Sequence, residues 1–286
     1  MQSLMNGKVV VITGGTSGIG QVAAEELAGM GARIVLVARD RARAEAALSR
    51  LRQQAPGLNH SVHYADLSRV AEMKRVAAEI AAAESLVDVL INNAGALFGS
   101  RRVTEDDLES TFALNHMSYF VVTYGLRERL AASAPARVVN TSSDAHRRKN
   151  LDFEDLQSAR DYRGFGAYGR SKLCNILFTR ELARRLNGMP VTANSLHPGF
   201  VDTRFGDEAG GFFSYLIRIG KKTVALSPQK GARTIVYLAS SPEVADVSGK
   251  YFYKCRPATP TAQAQDDAAA RRLWEETEKL SGISWS

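Results

Sequence analysis

The stretch Tyr168-Gly169-Arg170-Ser171-Lys172 holds the chemistry around which this chain can be organised. Four residues is a little over one helical turn, so on a helix the Tyr168 phenol and the Lys172 ammonium leave the same face and can interact. A free tyrosine titrates near pH ~10, and a cation beside it favours the phenolate, bringing the hydroxyl toward a useful acid/base range. The same spacing also occurs on ordinary helices with a solvated lysine. The pair therefore gains meaning only from what the rest of the chain brings to it. The helix is expected to run from Tyr168 to about Asn187.

Further candidates lie where strands should end. Ala136–Asn140 reads as a strand ending in Thr141-Ser142-Ser143, so a hydroxyl there faces the same crevice as the Tyr168 helix; Ser143 is the first choice and Ser142 the alternative. Val62–Ala65 ends at Asp66-Leu67, and Leu86–Ile91 ends at Asn92-Asn93-Ala94-Gly95, both at carboxyl ends of strands, where ligands bind in open α/β sheets. Asp66 reads equally as the N-cap region of the helix around Val70–Ala82. Asn115 sits inside an apolar helical segment, expected from Glu105 to Leu130, and its amide needs a partner, as a buried anchor or as a relay. Cys174 falls on another helical face from Tyr168 and reads as packing.

The elements that must position these groups begin with Lys8–Thr13, a β-branched run ended by glycines, as a strand buried on both faces would be. It leads through Gly14-Gly15-Thr16-Ser17-Gly18-Ile19-Gly20 into an amphipathic helix carrying Val22, Ala23, Leu27 and Met30. A glycine-rich turn at a helix N-terminus lets backbone N–H groups approach a phosphate, which points to a dinucleotide pyrophosphate; a plain β–α connection would use the same residues. The second strand, Arg33–Ala38, ends at Ala38-Arg39, where an NAD site tends to place a carboxylate and a 2′-phosphate wants a guanidinium. This favours NADP(H), with Arg39 as partner and Arg41 or Arg43 as substitutes, against the neighbouring Asp40. Strands and helices alternate onward, the pattern of a doubly wound parallel sheet of Rossmann type in a single α/β domain, 1–286.

After a strand Val191–Leu196, the segment Pro198-Gly199-Phe200-Val201-Asp202-Thr203 is expected to close over the cofactor. A helical lid is expected at 204–226. Its apolar run Phe212–Ile219 either lines the mouth of an apolar pocket, packs into the core or a subunit contact, or rests on a bilayer surface beside Arg218, Lys221 and Lys222. Ser227-Pro228 should start a helix, Val247–Lys254 should be the last strand, and Ala268, Leu273, Trp274 and Leu280 should lie on a closing helix.

The net charge of +7 is dispersed over short basic pairs with acidic residues between most of them, the pattern of a solvated surface with one anionic ligand and not of a nucleic-acid groove. Two cysteines, Cys174 and Cys255, make neither a disulfide framework nor a metal site, and no apolar run is long enough to span a bilayer. Met1–Gly7 has no signal pattern. A soluble, cytoplasmic protein is expected, with weak membrane-surface contact and homo-oligomerisation both left open.

Together these residues resemble the short-chain dehydrogenase/reductase family over essentially the whole chain. The resemblance is carried by Thr13-Gly14-x-x-x-Gly18-x-Gly20, Asn92-Asn93-Ala94-Gly95, Asn115, Ser143, Tyr168-x-x-x-Lys172, and Pro198-Gly199 with Thr203. Ser171–Ala183, His197-Pro198-Gly199 and Ser248–Phe252 most resemble the retinol dehydrogenase group, which uses NADP(H) on apolar alcohols and aldehydes. The resemblance implies that Tyr168 is the general acid/base, that Ser143 polarises the carbonyl or binds the alcohol, that Lys172 holds the ribose and lowers the tyrosine pKa, and that Asn115 holds a water linking Lys172 to solvent. The expected cofactor contacts are Gly14, Thr16, Ser17, Gly18, Ile19, Gly20, Arg39, Asp66, Leu67, Asn93, Ala94, Gly95, Tyr168, Lys172, Pro198, Gly199, Val201 and Thr203. Two functions follow: an NADP(H)-dependent oxidoreductase of a small apolar carbonyl or alcohol, or a non-catalytic dinucleotide-binding sensor or scaffold of the same fold. Filled positions at Tyr168, Lys172, Ser143 and Asn115 favour the first.

Overall fold

Alternation of side chains along β-branched strands sets the architecture. In β1 (Val9–Thr13), Val10 and Ile12 enter one apolar layer and Val11 the other, all three fully buried. In β2 (Arg33–Ala38) the same alternation sends Ile34 and Leu36 one way and Val35 and Val37 the other. A strand that must satisfy two apolar layers belongs inside a parallel sheet covered on both faces. The computed structural model describes residues 4–147, 149–199 and 227–285, and among them the sheet runs β3-β2-β1-β4-β5-β6-β7-β8. The remaining strands are β3 (Ser61–Tyr64), β4 (Val89–Asn92), β5 (Ala136–Thr141), β6 (Val191–His197), β7 (Tyr251–Tyr253) and β8 (Arg256–Pro257), all parallel except β8.

One face is covered by α1 (Gly18–Gly29), α2 (Arg41–Gln54) and α7 (Pro228–Ser240). The other is covered by α3 (Val70–Ala83), α5 (Ser118–Ser133), α6 (Gly164–Arg185) and α8 (Asp267–Ser281). Strand order reverses at β1, with β2 on one side and β4 on the other, so the loops leaving β1 and β4 open a crevice at the carboxyl edge. Among the described residues no helix is long and apolar enough to cross a membrane.

Several boundaries differ from the sequence expectation for identifiable reasons. The helix expected at Glu105–Leu130 starts only at Ser110, because the buried Glu109 carboxylate accepts from the N–H groups of Thr111 (2.7 Å) and Phe112 (2.9 Å) as an N-cap. After α4 (Ser110–Phe112) the chain widens into a π turn, Ala113–Met117, before α5. The strand expected from Leu86 begins at Val89, since Asp88 is held by the Val9 N–H and the Lys8 ammonium at 2.8 Å each. The strand expected at Val247–Lys254 is shorter and turns back into β8 through Lys254 and Cys255, at φ 50° and 59°. Two positive φ values make the tight hairpin turn that usually calls for Asn or Gly, so this Lys-Cys pair gave no sequence signal. Ser227 and Pro228 start α7 as expected, the Ser227 hydroxyl accepting from the Lys230 N–H. The expected lid at 204–226, with Val201 and Thr203, lies outside the described residues.

Candidate active site

The turn after β1 is built for close approach. Gly14 has φ +67°, and a Cβ there would stand 2.8 Å from the Ala94 Cα; one on Gly20 would stand 2.3 Å from the Gly14 carbonyl oxygen. No side chain fits at either position. Ser17 occupies the N-cap of α1 without a side-chain capping bond, and the first turn holds no acid. The N–H groups of Gly18, Ile19 and Gly20 thus present partial positive charge beside Thr16 and Ser17, a donor set that suits an anion.

Thr13 joins this turn to the one after β4. Its hydroxyl accepts from the N–H groups of Asn93 (3.0 Å) and Ala94 (3.1 Å), and the Asn93 amide donates to the Gly14 carbonyl (3.1 Å). Asn92 differs from its neighbour. Fully buried, it donates to Thr123 Oγ1 (3.0 Å) and to Asn140 Oδ1 (2.9 Å), tying β4 to α5 and β5.

Asn115 lies in the π turn with its whole amide engaged. Oδ1 accepts from the Ala96 N–H (2.9 Å), and Nδ2 donates to the Ala96 carbonyl (2.9 Å) and to Ser171 Oγ (3.0 Å). These bonds hold the β4 loop against α6 one residue from Lys172. Gly95 is part of the same contact: a Cβ there would lie 3.1 Å from Asn115 Oδ1 and 3.4 Å from Lys172 Nζ.

Tyr168 and Lys172 stand in the second and third turns of α6, which starts at Gly164 and not at Tyr168. Both are buried. Lys172 Nζ donates to the Thr141 carbonyl (3.0 Å) and lies 5.6 Å from the Tyr168 ring centroid and 5.5 Å from that of Tyr119. Burial, which spacing alone does not reveal, pushes the Lys172 ammonium down to about 7 and the Tyr168 hydroxyl well above its ordinary range. Among the described residues, a hydrogen bond with the Ser143 side chain acts against this rise at Tyr168.

The two adjacent serines separate cleanly. Ser142 is fully buried and its hydroxyl donates to the Lys172 carbonyl (2.7 Å), so it braces α6 against β5. Ser143 is half-buried, accepts from the Ala145 N–H (3.2 Å), and faces the phenol.

The remaining candidates spread along the same edge. Asp66 neither caps α3 nor is free: its carboxylate accepts from the N–H and hydroxyl of Ser68 (3.0 and 2.8 Å), while Asp106 accepts from the Val70 N–H. The Leu67 side chain is in the core. At the tip of β2, Arg39 is exposed; Asp40 caps α2, accepting from the Arg43 N–H (2.9 Å) and pairing with its guanidinium. The Arg41 guanidinium lies 4.3 Å over the Tyr64 ring. Gly199, at φ +92°, donates its N–H to His197 Nδ1 (3.1 Å) just after Pro198. Sequence reasoning missed Thr141, Asn140 and Asn175, whose bonds depend on strands adjacent only in space. Asn175 shares the Thr141 carbonyl with Lys172 (3.2 Å).

This fold has many solved counterparts. One, an uncharacterized protein from Mycobacterium paratuberculosis, superposes with a TM-score of 0.79 at 32% identity over 98% of this chain and 96% of that one. Another, the RhlG/NADP active-site complex of Pseudomonas aeruginosa, gives 0.70 at 27% identity over 88% and 96%. The profile of the family described as short chain dehydrogenase matches residues 8–210, and the chain belongs to that family. It is 42% identical to retinol dehydrogenase 14 of Mus musculus over 98% of this chain and 87% of that protein. It is also 42% identical to retinol dehydrogenase 13 of Homo sapiens, over 97% and 85%. The chain is thus an oxidoreductase of the type that works with a nicotinamide dinucleotide.

Proposed function

We propose that this protein is an NADP(H)-dependent oxidoreductase interconverting an apolar alcohol and its aldehyde or ketone, with Tyr168 as general acid/base. The observation that most supports this reading is the convergence of Tyr168, Ser143 and Lys172 at the sheet edge beside the β1 turn, with Asn115 locking the β4 loop onto α6. The preference for NADP(H) draws on the tip of β2. The carboxylate there, Asp40, is committed to capping α2 and to Arg43, which makes it a poor acceptor for a ribose hydroxyl, and the residues flanking it, Arg39 and Arg41, carry the guanidinium groups that suit a 2′-phosphate.

NADP(H), when bound, supplies or accepts the hydride. In reduction the Tyr168 hydroxyl hydrogen-bonds the substrate carbonyl oxygen and gives it a proton as negative charge develops there, and the Ser143 hydroxyl donates to the same oxygen. In oxidation the same groups run in reverse, with Tyr168 taking the proton from the alcohol. Lys172 is the ribose ligand and, once charged, the cation that favours the Tyr168 phenolate. Gly14, Thr16, Ser17, Gly18, Ile19 and Gly20 would hold the pyrophosphate, and Asp66, Leu67, Asn93, Ala94, Gly95, Pro198 and Gly199 would line the rest of the dinucleotide site.

An apolar substrate is supported by the surroundings of Tyr168, which packs with Leu97 and Ala145 and has the half-exposed Phe165 ring 6.4 Å away, and by the retinol dehydrogenases among the relatives. The test is NADPH consumption with straight-chain aldehydes of increasing length, with Tyr168→Phe as control. At ~0.8 kcal/mol per buried methylene, kcat/KM should rise about tenfold per two carbons until the pocket is full. A profile flat or falling from the shortest aldehyde removes the apolar substrate; unchanged turnover in Tyr168→Phe removes the mechanism.

A further inference from the structure

Strand pairing holds the candidate catalytic edge only as far as Ser142. Thr141 is the last residue of β5, and the Ser142 N–H makes the final bond to β6, at 2.7 Å from the Leu196 carbonyl oxygen. Ser143, whose hydroxyl must face Tyr168, stands one residue beyond the sheet. Its backbone is extended, φ −157° and ψ 155°, and the direction of its side chain depends on what holds its own peptide.

The group that does so is His146, three residues on and fully buried. Its backbone N–H donates to the Ser143 carbonyl at 3.2 Å, and its ring Nδ1 lies 2.7 Å from the same oxygen. On the far side Nε2 faces the N–H of Thr261 at 3.4 Å, in the segment that leads into α8. The ring stands edge-on to Tyr251, centroids 5.3 Å apart, which fixes its plane. A carbonyl can only accept and a backbone N–H can only donate, so these two partners select one state of the ring: neutral, with the proton on Nδ1. Burial acts in the same direction by disfavouring the imidazolium.

We propose that His146 is a positioning residue for Ser143: acting as a neutral donor–acceptor bridge between the Ser143 carbonyl and the Thr261 N–H, it replaces the missing sheet contacts and holds the serine hydroxyl toward Tyr168. The inference rests on the assignment of Ser143 to the substrate oxygen. It extends that assignment to the carboxyl-terminal segment, which would thereby help set the geometry of the site from outside the crevice.

Two variants separate positioning from mere filling. His146→Leu keeps the bulk and loses both polar contacts, whereas His146→Asn places an amide N–H near the position of Nδ1. The expected result is a kcat at least tenfold below the parent for His146→Leu, with NADPH affinity within twofold, and recovery to within about threefold of the parent for His146→Asn. Equal losses in the two variants, or a His146→Leu kcat within twofold of the parent, overturns the proposal. Nitrogen-15 spectra of the parent's histidine rings, assigned by loss of the His146 signals in His146→Asn, give a readout independent of turnover and, if His146→Leu does not fold, of that variant. A Nδ1–H tautomer at neutral pH supports the bridge, and a Nε2–H tautomer or an imidazolium overturns it. A parent that shows the Nδ1–H tautomer but never consumes NADPH removes the proposed function and leaves the bridge standing.

Discussion

Ser142 and Ser143 are chemically identical and adjacent, yet their surroundings give them different work. The Ser142 hydroxyl is spent on the Lys172 carbonyl inside the protein, and the Ser143 hydroxyl is directed at the phenol. Ser143→Ala should therefore lower kcat by on the order of 10²–10³, the usual loss for one donor to a developing oxyanion, with NADPH affinity unchanged. Ser142→Ala should cost about 1 kcal/mol of stability, seen as a lower urea midpoint, and leave kcat within a few-fold of the parent. Steady-state kinetics and denaturation on the same pair of variants check both halves; a larger kcat loss in Ser142→Ala would reverse the assignment.

At the scale of elements, the β1–α1 turn and the tip of β2 carry the interaction with the dinucleotide. A methyl group on Gly20 would meet the Gly14 carbonyl at 2.3 Å and the Asn93 amide nitrogen at 2.4 Å, both part of the framework that joins the two loops. Gly20→Ala is expected to destabilise the fold by roughly 1–3 kcal/mol as this overpacked turn shifts, and to weaken NADPH binding at least tenfold. Thermal melting and a fluorescence titration measure the two effects. At the β2 tip, Ala38→Asp combined with Arg39→Leu exchanges a guanidinium for a hydroxyl acceptor, so paired titrations should show the preference moving from NADPH toward NADH. An NADPH preference untouched by the double change would pass the role to Arg41.

At the scale of the whole molecule, buried histidines make stability depend on pH. His116, in the π turn, reaches Thr277 of α8 at 3.0 Å through Nε2, and burial pushes its pKa down to about 3. The unfolded chain, with an ordinary histidine near ~6.5, takes up the proton first as pH falls. The stability linked to His116 is thus fully present above about pH 6.5 and lost progressively from there toward 3, at roughly 1.4 kcal/mol per pH unit. His60, His146 and His197 are lowered by burial as well and add to the trend. Urea midpoints should fall steeply between pH 6.5 and 4, and His116→Gln should reduce that slope by about one proton. An unchanged slope would mean that His116 is charged in the fold.

By itself the sequence determined the parts whose signals are local. The β-branched runs required strands buried on two faces, the Gly14–Gly20 turn required a close approach at a helix N-terminus, and Tyr168 and Lys172 had to share a helical face, because each follows from backbone periodicity or from the size of glycine. Ser227-Pro228 likewise announced a helix start. Tertiary structure alone decided what depends on neighbours remote in sequence: that Ser143 and not Ser142 faces the phenol, that the Asn115 amide bonds Ala96 and Ser171, that Asp40 is absorbed by its own helix, and that Lys254-Cys255 can turn a hairpin. Spacing places a cation near a phenol, but only the packed layers around them set the burial that raises the Tyr168 hydroxyl and lowers the Lys172 ammonium.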